Sequence, residues 1–140
     1  MVLSNRVEAQ GAAIAGGQQD KKTLGEHPLI RNGRKVIPSV TRVFRKNQSL
    51  YVYLEAYQAT GETAQPVEAT VGFYRGKQKV FETAISVMRD GFKMQAKGLP
   101  ILLTVPLQSL ETGKYVCQVS VLNPQAQKVA FWRGPIAVLP

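Results

Sequence analysis

A single cysteine and a single histidine stand in a chain of 140 residues. One cysteine excludes an internal disulfide and any cysteine cluster for zinc. One histidine, His27, excludes a site built from several histidines. A triad or a histidine-based metal site would need partners that the chain cannot supply from other histidines. Beside Pro28, at the end of a polar stretch, His27 reads as a loop residue. Cys117 lies in an apolar alternating run with no base near it in sequence, the setting of a small core residue rather than a nucleophile. Long hydrophobic runs are also missing. No window approaches the roughly 18 consecutive apolar residues of a membrane-spanning helix. The opening MVLSNRVEAQ holds no apolar run of signal-peptide length. That weighs little on compartment, because the sequence can belong to a longer chain.

Acids are scarce: 9 against 18 lysines and arginines, for a net charge of +9. Such a balance favours anionic partners, nucleic acid among them. The distribution works against that reading. The cations come in ones and twos, as Lys21-Lys22, Arg34-Lys35 and Arg45-Lys46, and fall at turns or alternate with apolar residues. That pattern suits a solvated surface that keeps edge strands from pairing with other chains. The acids Glu55, Glu62, Glu68, Glu82, Asp90 and Glu111 are scattered, with no spacing that favours a catalytic pair. Gly76-Lys77 and Gly113-Lys114 lie outside any phosphate-binding loop pattern. The expectation is a protein that is not an enzyme, with no cofactor and no metal site.

What is present is alternation at period two. Residues 1–7 suit a short strand, with Val2, Ser4 and Arg6 on one side and Leu3, Asn5 and Val7 on the other. Residues 8–26 are rich in Ala, Gly, Gln and Lys and poor in large apolar side chains. That composition cannot offset the entropy of ordering, so 1–27 reads as a short strand plus a flexible linker or loop, ahead of a domain over 28–140. In PLIRNGRKVIP, Asn32-Gly33 between two apolar segments predicts a tight hairpin. Over Leu50–Gln58, Leu50, Val52, Leu54 and Ala56 share one side and Tyr51, Tyr53, Glu55 and Tyr57 the other. VEATVGFYRGKQKVFETAISV predicts two strands about Arg75-Gly76-Lys77. Val67, Ala69, Val71 and Phe73 form one apolar face, and Phe81, Thr83, Ile85 and Val87 another. Asp90-Gly91 marks a further turn. Ile101, Leu103, Val105 and Leu107 share a face, with Pro106 marking a strand end or edge. Near the end, Arg133-Gly134-Pro135 predicts a break by bulge or crossover, and alternation leaves the side of Trp132 open, core or edge cap.

These add up to seven to nine short strands at sandwich spacing and no amphipathic helix, hence an all-β, immunoglobulin-like antiparallel β-sandwich. LETGKYVCQVSVL supports it. Tyr115, Cys117, Val119 and Val121 share the expected core face, Gly113 permits a sharp entry, Leu110 can plug the end, and Tyr115 is placed to return its hydroxyl to the backbone as a tyrosine corner. The corner needs no disulfide, so the lone cysteine stands where a hydrophobe would.

The set VLSNR, PLIRNGRKVIPSVTRVFRKNQSLYVYLEAYQ, VGFYRGKQKVFET and VPLQSLETGKYVCQVSVLNPQAQKVAFWRGPIAVLP spans nearly the whole chain. It resembles the carboxy-terminal β-sandwich region of the von Willebrand factor A-related proteins of acidobacteria and their relatives. The resemblance implies a secreted or envelope-associated parent protein whose metal-binding A domain lies upstream. No Asp-x-Ser-x-Ser motif occurs in this chain, so the A domain's metal-dependent adhesion does not carry over.

The expected function is a non-enzymatic interaction, adhesion or structural module whose partner is a protein, recruited in one version as a strand at an exposed sheet edge. The alternative is a basic domain that binds nucleic acid or another anionic polymer. The candidate binding residues are Tyr51, Tyr53 and Tyr57 on the outer face of one strand, with Arg42 and Arg45 nearby, suited to stacking and hydrogen bonding.

Overall fold

A computed structural model describes residues 1–9, 30–31, 34–57, 65–88 and 98–140. Twelve strands and one 3-10 turn, Leu107–Ser109, make up its regular structure. One three-stranded sheet runs in the order β1 (Val2–Ser4), β6 (Ser49–Ala56), β10 (Leu99–Pro106). A six-stranded sheet runs β5 (Val43–Arg45), β12 (Lys128–Leu139), β11 (Gly113–Asn123), β7 (Val67–Arg75), β8 (Gln78–Glu82), with β9 (Ser86–Met88) also on β7. A small sheet joins β2 (Arg6–Ala9), β4 (Arg34–Ile37) and β3 (Ile30–Arg31).

The fold is an all-β sandwich because period-two alternation gives each long strand one apolar side. From the three-stranded sheet come Leu3, Leu50, Val52, Ile101, Leu103 and Val105. From the six-stranded sheet come Phe44, Ala69, Val71, Phe73, Tyr115, Cys117, Val119, Ile136 and Val138. All are buried in one cluster, closed at one end by Leu107 and Leu110. Each fully buried large side chain contributes about 1.5–3 kcal/mol relative to exposure. Ser4, Val36, Tyr53 and Val67 are buried outside this cluster.

On either side of Asn32-Gly33, which lie outside the described residues, Arg31 pairs with Arg34. Arg75 pairs with Gln78 around Gly76, whose φ of 58° suits glycine. Asp90-Gly91, His27 and residues 10–26 of the expected 8–26 linker lie outside the described residues, while Glu8 and Ala9 belong to β2 instead, paired with β4.

Several expectations are corrected. The strands exceed seven to nine because pieces of two to four residues join the ladders. One pairing, β5 with β12, is parallel. The first strand is two. Ser4 Oγ donates to Arg6 O at 2.7 Å and accepts from Arg6 N at 2.9 Å, turning the chain at Asn5. β1 then pairs with β6 while β2 pairs with β4. Ile85 and Val87 are exposed rather than core. Thr83 ends the β7–β8 ladder: its N–H donates to Val71 O, and its hydroxyl accepts from Val71 N at 3.0 Å. The irregular residues 83–85 shift the alternation by one, so β9 returns with Met88 packed on the core and Val87 outward.

The break expected at Arg133-Gly134-Pro135 is also absent. β12 pairs with β11 without interruption from Lys128 to Val138. Pro135 fits because its missing N–H falls on the edge away from β11. Ala137 N points that way, donating to Arg42 O at 3.0 Å, and residues two apart along a strand point alike.

Candidate functional site

The five candidate residues do not gather at one place. Tyr51, Tyr53 and Tyr57 follow β6 on the side away from the core, so they belong to the three-stranded sheet. Arg42 precedes β5 and Arg45 is its last residue, at the edge of the six-stranded sheet. The short turn after Arg45 explains the separation. Gln48 N donates to Arg45 O, Gln48 Oε1 accepts from Arg45 N, and the chain passes from one layer to the other within these residues.

The tyrosines themselves are tied down. Tyr53 is only 6% exposed, and Tyr51 is half-buried. Glu55 accepts the Tyr53 hydroxyl on Oε1 at 2.9 Å and the Tyr57 hydroxyl on Oε2. The hydrogen bond to Glu55, and then its charge, push the Tyr57 phenol above its usual pKa, so it stays a donor. Tyr57 is 68% exposed, yet its ring edge lies against Gly98, where a β-carbon would stand 2.9 Å from Cε1. The group clasps the end of β6 to the start of β10.

Arg42 has a different partner, one that the alternation pattern left open. Trp132 points to the core side, opposite Val119, and is half-buried at the sheet edge. Its ring lies across Gly134, and the Arg42 guanidinium stands 5.3 Å from the ring centroid. Gly134 is therefore a seat for the indole. Arg42 adopts a left-handed φ of 54°, which costs a non-glycine residue about 1–2 kcal/mol. That turn carries the chain away from β12 and ends the β5 ladder at Val43–Arg45.

The outer face of the six-stranded sheet holds what the sequence pattern did not single out. β12 presents Val129, Phe131, Arg133 and Pro135 on this side, and Val129 and Phe131 are 64% and 65% exposed. Leu122 neighbours Val129, and Ser120 neighbours Phe131. Further along, Tyr74 is flanked by Arg133, 5.1 Å from its centroid, and by Lys79 at 5.8 Å. Lys79 also pairs with Glu82 at 2.8 Å, and that hydrogen bond is the main cause of its raised pKa. Gly72 leaves room for the Tyr74 ring, whose Cε2 would lie 3.3 Å from a β-carbon there. The signal was available: Val129 and Phe131 alternate with Ala130 and Trp132, but alternation alone cannot say which side is covered.

No family model and no curated protein sequence matches the chain.

The remaining polar groups are architectural. Tyr115 Oη donates to Glu111 O at 2.6 Å, the tyrosine corner expected from its spacing. Arg75 fastens it. Nη2 donates to Tyr115 Oη at 2.9 Å and to Thr112 O at 3.0 Å, and Nη1 bonds Glu111 Oε2 at 3.0 Å. Gly113 enters the strand at φ 146°. Cys117 is fully buried, and desolvation pushes its thiol up to about 12. Among the described residues no three His, Cys, Asp or Glu side chains gather to hold a metal ion, and no helix is long and apolar enough to cross a membrane.

Proposed function

We propose that this chain is a non-enzymatic interaction module that binds a protein partner on the outer face of its six-stranded sheet, centred on Val129 and Phe131. The observation that supports this most directly is their exposure, side by side with Leu122, on a strand whose outer side carries one charge, Arg133, between Lys128 and Leu139. Contiguous apolar surface of this kind marks a contact site when a polar rim surrounds it. Arg133, Lys79 and Glu68 supply that rim. The Glu55-tied tyrosines serve the sandwich more than a ligand, which moves the binding face from β6 to β12. The resemblance to the acidobacterial von Willebrand factor A-related proteins supports a setting outside the cytoplasm, within a longer secreted or envelope-associated protein.

Site-specific photo-crosslinking in the organism that makes the protein tests this reading. A photoreactive side chain at 131 is expected to trap a defined protein adduct, and one at Leu102, on the opposite sheet, is not. Crosslinks from 131 to nucleic acid, or no adduct, would replace it with the basic polymer-binding alternative or with a purely structural role.

A further inference from the structure

We infer that the open edge of β12, over Val129–Arg133, accepts an added β-strand from a protein segment in which apolar and acidic residues alternate. This rests on the interaction-module reading and specifies the partner.

β12 is long and β5 is short. β5 covers only Ala137–Leu139, so among the described residues the edge beside Val129–Arg133 carries no strand. Since Ala137 N points to that edge, alternation sends the N–H and C=O groups of Val129, Phe131 and Arg133 the same way. A row that no described residue pairs with is a template for strand addition. The left-handed Arg42 keeps the chain's own β5 from filling the space.

The chemistry of the two faces defines the occupant. On the outer face the added strand would lie beside Val129 and Phe131, which match apolar side chains. On the inner face it would lie beside the Arg42 guanidinium over Trp132, which matches carboxylates. Residues 42–46 and 129–139 together hold Arg42, Arg45, Lys46 and Arg133 and no acid. This charge disfavours a second copy of the same edge, because like charges facing across strands repel, and it favours an acidic partner strand.

Trp132 is the only tryptophan and reports on this edge. The experiment is a fluorescence titration of the full chain with a short end-blocked peptide alternating valine and glutamate. Controls are the same peptide N-methylated on alternate residues, a valine–lysine version, and a single-stranded oligonucleotide. A saturable change with the valine–glutamate peptide is expected, weakened about tenfold or more by N-methylation, which removes ladder donors while keeping the charge. Phe131→Pro should abolish binding, as it deletes an outward N–H just as Pro135 does at its own position. Phe131→Ala should weaken it less. If Phe131→Pro does not fold, the N-methylated peptide on the unaltered chain still decides. Equal binding of the N-methylated or lysine peptide, an equal response to the oligonucleotide, or no saturable change overturns the proposal. A protein crosslink from position 131 alongside a failed titration would leave the interaction module standing and remove strand addition alone.

Discussion

The indole of Trp132 occupies the space above Gly134 where any other residue would place its β-carbon, 2.5 Å from the ring's Cζ2. The Arg42 guanidinium crowds the same point, with Nη1 3.0 Å from that position. A glycine inside a strand ordinarily weakens it, yet here it lets the edge of the sandwich close over its largest side chain. β12 keeps its pairing with β11 unbroken through this point, and β5 leaves its first half uncovered.

Gly134→Ala is therefore expected to destabilise the domain by about 1–3 kcal/mol, the usual range for forcing extra volume into a packed site. A glycine with no such neighbour would gain stability on the same change, through a less flexible unfolded chain. Urea denaturation gives the sign, and the emission of Trp132 should shift as the ring leaves its seat. An unchanged midpoint together with unchanged emission would contradict the packing described.

Tyr115→Phe should cost about 1–2 kcal/mol, because it removes the donor to Glu111 O and leaves an Arg75 N–H without its acceptor. Arg75→Ala should cost less, about 0–1 kcal/mol, since its ion pair with Glu111 is solvent-exposed. Chemical denaturation of both variants ranks them, and a larger loss at Arg75 would show that the arginine rather than the phenol holds the corner.

Cys117 should resist alkylation in the folded protein at mildly alkaline pH and react readily once the chain is unfolded. Burial raises its pKa from 9.0 to about 12, so the native thiol stays neutral where an unfolded one ionises. The linkage follows in sign. Because the folded value lies above the unfolded one, this thiol's contribution to stability is fully present below about pH 9 and is lost as pH rises towards about 12. Mass spectrometry after iodoacetamide treatment, with and without urea, reads the difference, and equal labelling would mean that the thiol is open to solvent.

Alternation was enough to assign the inward side of the long strands. Leu50 and Val52, Val71 and Phe73, Leu103 and Val105, and Cys117 and Val119 all lie in the dry interior, because side chains two apart in a strand cannot do otherwise than share a face. Turn chemistry was local too, so the pairing of β3 with β4 and the Gly76 turn were legible, as was the corner from Glu111 to Tyr115. Other features depend on which distant segments meet. Alternation put Tyr53 with Tyr51 and Tyr57 but could not show that it would be buried, or that Arg42 would leave them for Trp132 on the other sheet. It could not turn Gly134 from a breaker into a seat, or reveal that β5 stops short and leaves Phe131 beside an edge that no described strand covers. Period and propensity act within a few residues. Cover, partners and open edges are set by pairings between residues far apart in sequence, which exist only once both layers have closed.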